Sequence, residues 1–150
     1  MIGRSTEGGL SAIAAVIGAL AVAMVSPANA RDLSDAERAT ICSEGEGRYK
    51  ELFGRLPKDE SVKIVLMYKD IFCPMQLTVT QGETVRWVNI DKRTSHSIWF
   101  RDVGKPESER LFAEEKVEMT FDLPPGEYPY LCGPHWETVG MIGKVTVKGK

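Results

Sequence analysis

The chain has 150 residues, 43% of them hydrophobic and 8% aromatic, enough for one globular domain with a core of its own. Against 19 Lys and Arg stand 21 Asp and Glu, a formal net charge of −2, with both signs mixed along the sequence. That balance argues against a nucleic-acid footprint and against a strongly acidic docking face.

Residues 1–30 read as an export signal. Arg4 sits in the n-region, an apolar run extends from Leu10 to Val25, and Ala28-Asn29-Ala30 offers an A-x-A cleavage site. The run is shorter than the roughly 20 residues of a membrane span; an uncleaved anchor is the competing reading. No twin arginine is present, which favours the general secretory route. Cleavage would start the mature chain near Arg31 and deliver it to the periplasm, with no membrane contact afterwards.

Residues 32–56 are predicted to be helical. Ser34-Asp-Ala-Glu37 has the spacing of a capping box, and Tyr49, Leu52 and Phe53 give the second half an apolar side. Gly45 and Gly47 are expected to kink the segment or divide it, and Gly54 and Pro57 to end it. This is an appended helical element expected to cover part of a β domain.

From Ser61 onward the signals are those of strands. Val62–Tyr68 is β-rich, Met75–Val79 alternates, and Thr84–Asn89 alternates after a turn at Gln81–Glu83. His96–Phe100 follows a polar turn at Asp91–Thr94, and Lys105–Glu109 is loop-like. Lys116–Asp122 alternates with Val117, Met119 and Phe121 on one face. Pro124-Pro125-Gly126 turns into Glu127–Leu131, and Ile142–Lys148 closes the chain. Seven short strands punctuated by Gly and Pro, with no long helix among them, argue an antiparallel β-sandwich. Trp87, mid-strand, is expected in its core.

The chemistry concentrates in Tyr130-Leu-Cys-Gly-Pro-His-Trp-Glu-Thr-Val-Gly-Met141, which holds a thiol, an imidazole and a thioether in Cys132, His135 and Met141. The chain has 2 histidines in all, and the other is His96. Two imidazoles and one thiolate in a plane, with a weak axial Met, are the ligand set of a blue-copper electron-transfer site. Taken singly, Cys132 would more often be a buried apolar residue, His135 a solvated loop residue and Met141 a core filler. Two histidines leave none for the second copper centre of a copper oxidase or nitrite reductase, so an enzyme of that kind is not expected.

Three cysteines are an odd number for an exported protein. If a metal holds Cys132, Cys42 and Cys73 remain, and an oxidising compartment would pair them. Such a bridge would be worth roughly 3–4 kcal/mol in the chain-entropy picture. The alternative is a second copper on Cys42, or on Cys73 with Met75, although no histidine lies near either.

The second half of the chain resembles the cupredoxins, the plastocyanin, pseudoazurin and amicyanin branch in particular. Gly126-Glu-Tyr-Pro-Tyr-Leu-Cys-Gly-Pro-His135 is similar to that family's G-x-Y-x-Y-x-C-x-P-H segment, and Gly140-Met-Ile-Gly-Lys-Val-Thr-Val147 to its closing G-M-V-G-x-V-x-V strand. Ser95-His-Ser-Ile98 stands where the family carries its first histidine. The similarity covers about residues 61–150, leaving residues 31–60 as an N-terminal extension. It implies an all-β Greek-key sandwich and one copper ion, cycling between Cu(I) and Cu(II), on His96, Cys132, His135 and Met141. The backbone N–H of Ser97 would donate to the Cys132 sulfur, while Pro134 has no N–H to give.

Two departures from the family stand out. Ser95 replaces a common Pro, which should loosen the loop slightly. Five residues, Trp136–Gly140, separate His135 from Met141 where four are usual, so Glu137 is a rival axial ligand to Met141. The resemblance implies a one-electron carrier between redox proteins, a monomer, whose partner (a c-type cytochrome or a periplasmic oxidoreductase) docks near His135 and Trp136. Trp136 either contributes to an exposed apolar patch there or folds back over the metal. The rival function is a carrier or storage protein that delivers copper itself.

Overall fold

The structure, a computed structural model, describes residues 31–150, and the export signal read over 1–30 lies outside the described residues. Its first helix starts as the capping box requires. The Ser34 hydroxyl accepts from the Glu37 amide at 3.3 Å, and the Glu37 carboxylate accepts from the Ser34 amide at 2.8 Å. This helix, α1, runs Asp35–Phe53 and ends where Gly54 turns left-handed at φ 77° and donates its N–H to the Lys50 carbonyl.

The division expected at Gly45 and Gly47 does not occur; one helix runs through both. Two good caps and a stripe of Ile41, Gly45, Tyr49 and Leu52 packed on the sheet outweigh an intrinsic cost of about 1 kcal/mol per glycine. Gly45 marks the closest approach: a methyl there would meet Ile90, Leu66 and Tyr68 at 3.4–3.5 Å.

Seven strands follow: β1 Lys63–Tyr68, β2 Ile71–Cys73, β3 Gln76–Thr80, β4 Thr84–Asn89, β5 Lys116–Thr120, β6 Gly126–Leu131 and β7 Ile142–Lys148, with a short helix α2, Trp136–Val139, before the last. They make a four-stranded sheet, β2-β1-β4-β5, and a three-stranded sheet, β3-β7-β6. The sandwich is mixed rather than purely antiparallel, because β1 pairs parallel with β4 and β3 parallel with β7. Between β1 and β4 the chain crosses to the other sheet to lay down β3, and it returns in the direction in which it left.

Two strand expectations change. β2 was not legible, because its hairpin to β1 turns on Lys69 and Asp70, at φ 49° and 59°, without the Asn or Gly that usually marks a two-residue turn of this hand. His96–Phe100, expected as a strand, forms only isolated bridges, His96 to Leu111 and Trp99 to Leu131. The segment spans from one loop to β6 and belongs to neither ladder.

The sheets enclose an inner core that includes Val65, Met67, Trp87, Phe121, Tyr130, Cys132 and Met141. Trp87 is 1% exposed, as its mid-strand place suggested. A second core lies on the outer face of the larger sheet, where Ile64, Leu66, Val88 and Ile90 meet Tyr49 and Ile41 of α1. β1 therefore sends alternate side chains into two different cores, and its run of apolar residues shows little alternation for that reason. The Cys42–Cys73 disulfide ties α1 to β2, as the cysteine count suggested.

Gly143 of β7 faces Tyr130 of β6, and a Cβ at Gly143 would stand 2.4 Å from the ring carbon Cζ. Gly143→Ala must push that ring off Trp87 and Phe72, and should destabilise the protein by about 1–3 kcal/mol. A Cβ at Gly47 meets nothing within 4 Å, so Gly47→Ala should stabilise by about 0.5–1 kcal/mol. Urea midpoints at unchanged slope read both effects.

Candidate metal centre

Cys132 follows directly on β6, and its N–H donates to the Met141 carbonyl at 3.0 Å, carrying the β6–β7 pairing one step past the strands. Between these two residues the chain folds back on itself. His135 and Trp136 donate their N–H groups to the Cys132 carbonyl at 3.0 and 2.9 Å, and the Met141 N–H donates to the His135 carbonyl at 3.3 Å. α2 takes up the extra residue of this loop, and Gly140 ends it at φ 70°. Glu137, the rival ligand in the sequence, is exposed on α2 and stands outside the cluster of potential metal donors.

His96 reaches the same point from the loop after β4, pinned by a reciprocal pair of backbone hydrogen bonds with Leu111, 3.0 and 2.8 Å long. The Cys132 Sγ lies 3.3 Å from His135 Nδ1 and 3.6 Å from His96 Nδ1, and the two nitrogens are 3.2 Å apart. Equidistance from three such atoms is reached roughly 2 Å from each, about the bond length of nitrogen or thiolate to a first-row metal. His96 and Cys132 are fully buried, and the His135 side chain is 20% exposed. Met141 is buried at 1% in the same core cluster as Cys132. Two imidazoles, a thiol and a nearby thioether form a donor set that fits copper.

Two of the donors, His96 and Cys132, are held by hydrogen bonds from neighbours. The His96 Nε2 lies 2.9 Å from Asp91 Oδ2; an ionised carboxylate only accepts, so Nε2 is the donor of this pair and Nδ1 is the ring nitrogen turned to Cys132. The same Asp91 oxygen accepts from the Lys69 backbone N–H at 3.0 Å. Asn89, completely buried, holds this loop by donating to the Thr94 and Leu111 carbonyls and accepting from the Asp91 N–H. The Ser97 N–H donates to the Cys132 sulfur at 3.5 Å, the donor the family resemblance implied. The Ser97 hydroxyl donates to Glu107 at 2.6 Å and accepts from the Gly133 N–H at 3.0 Å. A Cβ on Gly133 would strike that carboxylate at 2.0 Å, so any larger residue there must displace Glu107 from the Ser97 hydroxyl.

Asp91 and Glu107 were missed by sequence reasoning. Asp91 opens the polar turn five positions before a ligand-type histidine, and that proximity was its one available signal. Glu107 lies in a loop with no pattern at all.

Burial pushes the Cys132 thiol up to about 11, with the N–H groups of Ser97 and His135 pulling the other way. Burial, then the neighbouring His96, holds His135 below its ordinary value, with Asp70, 3.9 Å away, opposing. In the metal-free protein the site is thus a neutral thiol beside an imidazole that resists protonation. Elsewhere, Trp136 is partly buried under the Arg101 guanidinium, 5.0 Å from its ring, and Arg101 also lies 5.9 Å from Trp99. Cys42 and Cys73 have spent their thiols on the disulfide, which removes the reading of a second copper there.

Comparison with known proteins agrees with this donor set. The family described as copper binding proteins, plastocyanin/azurin family, matches residues 68–148. Plastocyanin of Synechococcus sp. (strain JA-2-3B'a(2-13)) is 40% identical over 90 residues, 53% of this chain and 65% of its own length; the chain thus spans just under two-thirds of that relative. The reduced Cu(I) form of an amicyanin variant superposes with a TM-score of 0.53 at 28% identity, over 59% of this chain and 84% of that one. A copper-containing nitrite reductase from Thermus scotoductus SA-01 gives 0.51 at 30% identity, over 63% of this chain but 24% of that one. With more than half of its residues matched and a copper-type donor set at one end of its sandwich, the chain belongs to the plastocyanin/azurin family of copper-binding proteins.

Proposed function

We propose that the protein is an exported type 1 copper protein that carries single electrons between redox proteins, with His96, Cys132, His135 and Met141 holding one copper ion. The triangle of Nδ1, Sγ and Nδ1 atoms carries this reading. When bound, copper supplies a one-electron Cu(I)/Cu(II) couple. The chain contributes rigidity: backbone pairing fixes Cys132 against Met141, and Asp91 and Leu111 fix His96. Donors held this firmly need little rearrangement when the charge of the site changes.

His135, one side of which reaches solvent, is the natural exit, and the Trp136–Arg101 pair beside it offers contact area to a redox partner such as a c-type cytochrome or a periplasmic oxidoreductase. Residues 1–30 would direct export to the periplasm, residues 31–60 form an extension, and 61–150 form the copper domain, working as a monomer. We read the chain as a carrier and not an enzyme; the nitrite reductase likeness extends over only 24% of that chain.

The Cu(II)-loaded protein should show an intense visible thiolate charge-transfer band that disappears on reduction and is absent from Cys132→Ala. A colourless Cu(II) form would point instead to a protein that delivers copper.

Copper uptake should also depend on pH. The metal-free Cys132 thiol, with its pKa raised to about 11 by burial, keeps its proton at neutral pH, whereas the ligand is the thiolate. Loading releases that proton, so affinity rises with pH and falls as pH drops, by about tenfold per unit between pH 7 and 9 from this group. Competition against a chelator at stepped pH measures the slope, and a flat profile removes Cys132 from the ligand set.

For Asp91 the expectations separate charge from contact. Asp91→Asn removes a negative charge beside His96 and should raise the reduction potential, because Cu(II) loses more stabilisation than Cu(I). Asp91→Ala also frees the ring and should weaken copper binding by about ten- to a hundredfold. Voltammetry and chelator competition check the two, and no change in either would make Asp91 a loop contact only.

A further inference from the structure

A cleft of about 390 Å³ opens beside the metal centre, and Arg48 of α1, Lys69 of the β1–β2 turn, and Lys92 and Arg93 of the loop after β4 all line it. Four cations thus converge from three separate elements of a chain whose net charge is −2. Two carboxylates stand among them, and both are engaged: Glu44 with the Lys69 ammonium, Asp91 with His96 and the Lys69 N–H. Among the described residues Arg48, Lys92 and Arg93 have no acidic partner.

Two of these cations are already held in place. The Arg48 guanidinium donates to the Ile90 carbonyl, and the Lys69 ammonium lies 5.3 Å from the centre of the Tyr68 ring, which forms part of the cleft wall. Ordering them costs little when an anion arrives. The location adds a second reason. Asp91, on the cleft wall, is hydrogen-bonded to His96, and Asp70, the next residue after Lys69, lies 3.9 Å from His135. Whatever docks here rests against Asp91, the outer neighbour of His96, with the neighbour of His135 one residue beyond the cleft wall.

We propose that this cleft is the docking site for the carboxylate-rich face of the protein's redox partner. The proposal rests on the electron-carrier reading for the nature of the partner, and on the cleft itself for its charge. A partner presenting Asp and Glu matches the three unpaired cations Arg48, Lys92 and Arg93 and is steered toward them at low salt. A nucleic acid would require a longer basic stripe than one cleft supplies.

Mapping with a redox-inert paramagnetic trianion, hexacyanochromate(III), tests the site. In spectra of the full chain carrying Cu(I), the probe should selectively broaden the backbone amides of Tyr68, Lys69, Lys92, Arg93 and Thr94. A short oligo-aspartate peptide should displace it, and raised salt should weaken it. Lys92→Gln/Arg93→Gln should reduce the probe's affinity severalfold and Lys92→Glu/Arg93→Glu by about tenfold, with the remaining amide resonances unmoved. Broadening spread evenly, or centred on Arg101 and Trp136, would overturn the proposal, as would equal affinity in the Glu variant. Displacement by an oligothymidine in preference to oligo-aspartate would also overturn it, in favour of nucleic acid. The same map on the metal-free chain separates the two readings: failure to bind copper ends the electron-carrier reading and leaves the anion map standing, whereas a copper-loaded, coloured protein without the map loses only the cleft.

Discussion

A sulfur atom with no exposure to solvent, at the end of β6, governs the design of this protein. Left alone, Cys132 behaves as a small apolar residue of the core, its thiol held protonated by burial. To act as a thiolate it needs a positive charge within bonding distance, and the groups gathered round it are two imidazoles, of which His135 resists protonation, and one thioether. The surrounding hydrogen bonds tie those groups in place without supplying that charge: Met141 and His135 are tied to the Cys132 backbone, and Ser97 to its sulfur. The site is built rigid and electrically incomplete, the condition in which a metal cation is bound tightly and in one geometry.

That rigidity comes from packing on two levels. The inner core continues without a break from Trp87 through Tyr130 to Cys132 and Met141, so the two sulfur donors rest on close-packed aromatic rings and not on a free loop. The outer core adds α1 as a third layer over the larger sheet, fastened by the Cys42–Cys73 bridge. Because β1 is clamped on both faces, the hairpin that leaves it is fixed too, and that hairpin reaches the metal end of the sandwich with Lys69 and Asp70. α1 thereby braces the strand from which that hairpin leaves.

Much of this was legible from residue order alone. The residue types that the fold gathers at His96, Cys132 and His135, the disulfide partners, the Ser34–Glu37 cap and six of the strand positions carry local signals: spacing, alternation, parity of cysteines. Other features depended on long-range contacts. The continuity of α1 through Gly45 and Gly47 is decided by the sheet beneath it, which overrides a weak local preference. β2 hides behind a turn built from Lys and Asp. The loop from His96 to Phe100 alternates like a strand yet finds no ladder to join. Asp91 and Glu107 could not be singled out, since a carboxylate in a polar loop looks the same whether it faces water or a side chain of the site.

One oxygen of Asp91 serves two masters: it accepts hydrogen bonds from the Nε2 of His96 and from the backbone N–H of Lys69. The turn and His96 are therefore mechanically geared. Shortening, lengthening or relaxing the left-handed Lys69–Asp70 corner would tug on the carboxylate and tilt the imidazole it holds. Reshaping the surface here to suit a new partner would, in the same stroke, retune the electronic properties of the centre behind it.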